Sequence, residues 1–236
     1  MARSHGSSDW LLKMIRNGEI DSLLETIPGV KITPNTGVPS KDDPTERELK
    51  TYLKEKGFVS EKITSISKWW PNSGPVWDYV CQAKFNGADG LILLEAKAHK
   101  SETNKAKKAE PDRDKVKDLK KAENNHTTIE QNINKELAQL RGVDNVTYEG
   151  FYQVANRIAY ANKARQVFGM PILLVFLGFI GDKSFKDSWK HADQWKNEIL
   201  SHLDVLKVAN LTEVEMPEST RRPGIIILSK PCAEIV

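Results

Sequence analysis

Three side chains in one short stretch have the types and spacing for phosphate chemistry. In Pro75 to His99, PVWDYVCQAKFNGADGLILLEAKAH, the acid Asp78 precedes a turn-forming Asn86-Gly87, and an apolar run from Leu91 to Leu94 ends on Glu95-Ala96-Lys97. Side chains alternate across a strand, so Glu95, Lys97 and His99 share one face while Leu94 and Ala96 take the other. If the strands pair through the Asn-Gly turn, Asp78 comes alongside Glu95. Two carboxylates that close repel each other unless a cation separates them, and hard divalent ions such as Mg²⁺ take oxygen ligands of this kind. Asp89 is a rival acid, placed where Asp commonly serves a turn.

A second constellation lies downstream. Within Glu149 to Phe168, a predicted helix, Phe151, Val154, Ala155, Ile158 and Asn162 fall on one side, and Gln153, Asn156, Arg157 and Tyr160 fall together on another. A polar stripe on a partly buried helix has to face polar partners, such as a catalytic centre, a nucleic-acid backbone or water. Behind Lys97, residues Lys100 to Lys121 carry eight lysines and Arg113 against five acids, a surplus of four in a chain whose net charge is +3. This segment, with Lys100 and Lys105 near its start, is a candidate for phosphate contact or a solvated surface.

The elements that would position these residues follow from periodicity. Asp9 to Arg16 and Glu19 to Glu25 read as short helices parted by Gly18, and the proline-rich Pro28 to Pro44 as an irregular arm. Asp43-Pro44-Thr45-Glu46 has a cap residue, a proline at the first helical position and a Glu three residues beyond the cap, so a helix is expected to run to about Lys56. Glu48 borders its apolar stripe, where a carboxylate can reach inward. Phe58 to Ser67 reads as a strand and Trp69 to Gly74 as a loop. Trp69, Trp70 and Trp77 can pack in the core or stack on bases. Ile129, Ile133, Leu137 and Leu140 mark an amphipathic helix stopped by Gly142. Ile172 to Phe179 is apolar enough for an interior strand. Asp187 to Leu203 is expected as a helix with Trp189 and Trp195, and Ile225 to Leu228 as a last strand after Arg221-Arg222. His126, His191 and His202 lack ligand spacing and read as surface residues.

Composition sets outer limits. A chain of 236 residues buries a sizeable core. Cys81 and Cys232 alone make neither a disulfide framework nor a zinc site, which points to a reducing compartment. No hydrophobic secretion segment opens the sequence, and the longest apolar stretch, Ile172 to Ile180, is far short of the roughly 20 residues that span a bilayer. A soluble, cytoplasmic protein with no membrane partner is expected.

The ordered set of Glu48, Asp78, Glu95-x-Lys97 and a helix reading YQVANR resembles the PD-(D/E)xK nuclease superfamily. EAKAH, YQVANR and a strand ending Gly181-Asp182 are similar to a group of mostly uncharacterised bacterial members. The resemblance covers about Thr45 to Trp195. Pro75 stands three residues before Asp78 rather than next to it, and Arg157 occupies the fourth position after Gln153, where exonuclease branches carry tyrosine.

The resemblance implies an α/β, restriction-endonuclease-like fold, a central mixed sheet flanked by helices, over residues 45–236, with 1–44 as an N-terminal helical segment and arm. It implies Asp78, Glu95 and the Ala96 carbonyl as ligands to Mg²⁺, for which Mn²⁺ can substitute, and Glu48 as a candidate outer ligand. Lys97, Gln153 and Arg157 would act on water or phosphate, with His99, Asn156, Lys100 and Lys105 as substrate contacts. The expected activity is Mg²⁺-dependent hydrolysis of DNA by an endonuclease, with a homodimer as one candidate state. The alternatives are a catalytically silent nucleic-acid-binding or regulatory module on the same fold, and an RNA-processing nuclease.

Overall fold

The computed structural model describes residues 6–71, 74–103, 118–148, 150–213 and 222–235. A five-stranded mixed sheet organises them, in the order β1 (Val30–Ile32), β4 (Tyr79–Phe85), β5 (Ala88–Lys97), β6 (Ile172–Ile180), β7 (Gly224–Pro231). β1, β4 and β5 are antiparallel neighbours, whereas β5, β6 and β7 run parallel. The parallel half is the apolar one, as burial on both faces requires: every residue of β6 is buried. Arg47–Glu48 (β2) and Val76–Trp77 (β3) make a small separate ladder.

Helices cover both faces. α1 (Ser7–Arg16) and α2 (Glu19–Leu24) share one core with Ile92, Leu94 and Ala96 of β5 and with Ala98 just beyond it. The opposite face, carrying Leu91 and Leu93, meets α3 (Leu49–Glu55), α4 (Ser60–Trp69), α5 (Leu119–Arg141), α6 (Tyr152–Phe168) and α7 (Ala192–Val205). Glu95 and Lys97 continue the Leu91 and Leu93 side, so strand alternation drives two charged groups under a layer of helices. Among the described residues no helix is long and apolar enough to cross a membrane.

Several expectations change. Phe58 to Ser67 is not a strand, because residues 60–69 form α4. Val59, Ile63 and Ile66 are spaced four and three apart, a helical period, and Ile66 is fully buried while Val59 is exposed. The helix expected from Pro44 begins only at Leu49, since Arg47 and Glu48 are extended and paired with β3. Asp43 does not cap it; its carboxylate accepts from the Thr45 N–H and pairs with Arg47. α7 starts five residues later than expected, leaving Trp189 in the preceding loop, where its Nε1 donates to Glu198. Part of the charged segment is helical, as α5 begins at Leu119. His202 is no surface residue: it is 2 % exposed and stacks on Phe151 with ring centroids 3.6 Å apart. The arm contributes β1, and Val38 bridges Val80 at the edge of β4.

Candidate active site

The β4–β5 hairpin places the two acids. Asn86 and Gly87, both at positive φ (47° and 93°), form the tight turn, and the register Tyr79 to Leu94 leads Asp78 up to Glu95. Asp78 lies at the bend where β3 ends and β4 begins, and its Oδ2 accepts from the Ala96 N–H at 2.6 Å. A strand residue's N–H and C=O project to the same neighbour, so the Ala96 carbonyl also faces the β4 side.

Three donors converge on Glu95. Lys97 Nζ lies 2.5 Å from Oε1, Gln153 Nε2 donates to the same oxygen at 2.8 Å, and Arg157 Nε donates to Oε2 at 2.6 Å. Arg157 is itself fixed by donating to the Val76 carbonyl at 2.9 Å and by lying 4.9 Å from the centre of the Trp77 ring. Gln153 and Arg157, four residues apart on α6, meet one carboxylate because that spacing shares a helix face. The structure therefore brings together Asp78, Glu95, Lys97, Gln153 and Arg157.

The electrostatics separate the two acids. Burial, then the neighbouring Glu95 charge, push the Asp78 carboxyl up to about 7, with Glu46 adding to the effect. Burial acts against the Glu95 charge as well, but Arg157 and Lys97 outweigh it and hold that carboxyl below its usual range. Burial likewise opposes the Lys97 charge, yet Glu95 and Asp78 prevail and raise its pKa. Lys97 thus keeps its proton and acts as a donor at neutral pH. Glu46, which the sequence offered only as a cap-box acid, is the residue sequence reasoning missed. Its carboxylate accepts from the Ser8 hydroxyl at 3.0 Å, and no local signal ties it to Asp78 across the fold.

Other expected contacts sit elsewhere. Glu48 pairs with Lys50 at 3.3 Å. His99 stacks on Phe185 at 3.9 Å, with Asp187 3.5 Å from its Nδ1. Lys100 begins a short 3-10 turn, its N–H bonded to the Asp187 carbonyl. Lys105 and Arg221 lie outside the described residues. Asn156 is buried beside Tyr152. Asp89 faces Lys84 at 2.8 Å across the turn, away from Glu95. Asp182, at the end of β6, accepts from Trp10 Nε1 and ties α1 to the sheet. Trp69, Trp70 and Trp77 surround Tyr160 at 5.5 to 6.3 Å between ring centres and so belong to the packing.

A divalent cation, the partner implied by the resemblance, is matched here by the chemistry of the donors: two carboxylates and a peptide carbonyl, all hard oxygen ligands. Burial, then the Glu95 charge, raise the Asp78 pKa, and a cation between two carboxylates opposes both effects. Among the described residues no three His, Cys, Asp or Glu side chains form a ready-made metal cluster. No family model matches the chain, and neither a curated protein nor a solved structure matches it.

Proposed function

We propose that the chain is a Mg²⁺-dependent nuclease of restriction-endonuclease-like fold that hydrolyses phosphodiester bonds in DNA as an endonuclease. The supporting observation is the convergence on Glu95 of Lys97 from the same strand and of Gln153 and Arg157 from α6, with Asp78 beside the Ala96 peptide. Asp78, Glu95 and the Ala96 carbonyl would hold the cation, which when bound polarises the phosphate and acidifies water. Lys97, kept protonated by its acidic neighbours, donates to water or to a phosphate oxygen where negative charge develops. Gln153 supplies an amide to orient the nucleophile. Arg157, held by Trp77 and Val76, supplies a fixed positive charge from the helix side.

Purified protein is expected to cut DNA with Mg²⁺ or Mn²⁺, and Lys97→Ala to stop cutting while still binding. Failure to cut any of a broad set of DNA and RNA substrates overturns the reading. RNA cut in preference to DNA in direct competition favours the RNA-processing alternative. A silent binding module on the same framework has one observation in its favour: both Glu95 oxygens already have protein donors. Metal titration separates the two. The nuclease reading expects the melting temperature to rise with Mn²⁺ in wild type and not in Asp78→Asn, and the silent module expects no rise in either.

A further inference from the structure

Between α5 and α6, next to Arg157, lies a polar cluster that hydrolysis leaves unused. The two helices run in the same direction: Glu136 accepts from Asn162 at 2.7 Å and from Gln166 at 2.8 Å, and Gln139 accepts from Gln166 at 2.8 Å. The Glu136–Asn162 offset, carried back along both helices, sets Glu130 against Asn156 and His126 against Tyr152. The contacts agree. Asn156 Nδ2 donates to the Tyr152 hydroxyl at 3.3 Å, the Tyr148 hydroxyl donates to Glu130 Oε1 at 3.4 Å, and His126 Nε2 lies 3.4 Å from that oxygen. The charges of Arg157 and Glu130 both act on the Tyr152 phenol, which puts the cluster within electrostatic reach of the Glu95 site.

One atom in the cluster points to a ligand. Asn156 is 7 % exposed, and its Oδ1 is buried with no hydrogen-bond partner among the described residues. Leaving a buried acceptor unmatched is unfavourable, and this one sits on the helix that presents Gln153 and Arg157. A donor group arriving with the substrate would satisfy it.

We propose that Asn156, with Glu130 and Tyr152, reads an unpaired nucleobase beside the bond to be cut; the inference rests on the nucleic-acid reading above. The Asn156 carbonyl and the Glu130 carboxylate are acceptors suited to an exocyclic amine, which cytosine, adenine and guanine carry and thymine lacks. Tyr152, which is half-buried and has its ring centre 6.3 Å from that of the buried Tyr148, offers a face for stacking. Asn156 lies too deep for a base held in a duplex stack, so the substrate presents this base unpaired.

The test is fluorescence anisotropy on the full chain, with Ca²⁺ in place of Mg²⁺, using short oligo(dC), oligo(dT) and an abasic strand. Wild type is expected to bind oligo(dC) about fivefold to tenfold more tightly than either of the others, the span of one or two buried hydrogen bonds. Asn156→Leu and Glu130→Gln are each expected to bring oligo(dC) down to the oligo(dT) level, leaving the other two affinities in place. Thermal melts identify a variant that fails to fold, and Glu130→Gln, in a half-exposed side chain, is the safer of the pair. Equal affinity of wild type for all three strands overturns base reading, as does an equal loss for all three in a folded Asn156→Leu. A base preference without any cleavage under Mg²⁺ or Mn²⁺ overturns the nuclease and sustains the base site. No binding to any strand overturns both.

Discussion

Arg157 and Lys97 are, among the described residues, the two cations paired with the buried Glu95 carboxylate, so removing the guanidinium leaves that charge only partly compensated. Arg157→Leu is expected to destabilise the protein by about 3–5 kcal/mol, read from urea unfolding. Glu95→Gln added to it is expected to restore part of the loss, because the under-compensated carboxylate is then gone and Asp78 still acts on Lys97; a double variant no more stable than the single one would sink this account. Asp78 behaves differently. Its carboxyl already sits near Glu95 and Glu46 with a raised pKa, and Asn at that position can still accept from the Ala96 N–H. Asp78→Asn is therefore expected to keep metal-free stability within about 1 kcal/mol of wild type while losing any stabilisation by Mn²⁺. A large metal-free loss would mean that Asp78 is chiefly a structural acceptor.

At the scale of elements, the site depends on how closely β5, β6 and α7 approach. Gly178 pairs with Lys97 in the parallel register, and a Cβ built there would stand 2.4 Å from the Trp195 ring, whose Nε1 is tied to the Leu228 carbonyl at 2.8 Å. The ring cannot move without breaking that bond. Gly178→Ala is expected to cost about 1–3 kcal/mol or more and to lower cleavage along with stability, measured by thermal melting beside an activity assay. The hairpin turn is a milder case. Gly87 has φ of +93° with open space around its Cα, so Gly87→Ala meets only backbone strain, about 1–2 kcal/mol. A neutral Gly87→Ala would show that the turn relaxes to another type.

For the molecule as a whole, acid stability has an identifiable contributor. His202 is buried against Phe151 in the larger core, and burial, opposed only by Glu198, lowers its pKa below the ordinary 6.5. The unfolded chain then binds the proton more readily than the folded one, so this contribution is whole above about pH 6.5 and is lost as pH falls through the lower folded value. The raised Asp78 pKa acts the other way over this range and is common to both proteins, so the expected readout is the difference: between about pH 7 and pH 5 wild type loses melting temperature relative to His202→Phe, which keeps a ring on Phe151. Parallel curves would remove His202 as the cause.

The sequence by itself determined what depends on neighbours along the chain. The Asn86-Gly87 hairpin, the interior strand at Ile172, the α6 face with Gln153 and Arg157, and the shared side of Glu95 and Lys97 all follow from periods of 2 and 3.6. Short, weakly patterned stretches were decided by tertiary contacts. Val59 to Ile66 became helix where β-branched residues suggested a strand, and Arg47 and Glu48 extended to pair with β3. Only the folded chain brings Glu46 toward Asp78, buries His202 under Phe151 and, among the described residues, leaves Asn156 Oδ1 without a partner. Each of these joins residues far apart in the sequence, and local periodicity carries no information about which distant side chain will fill the space opposite.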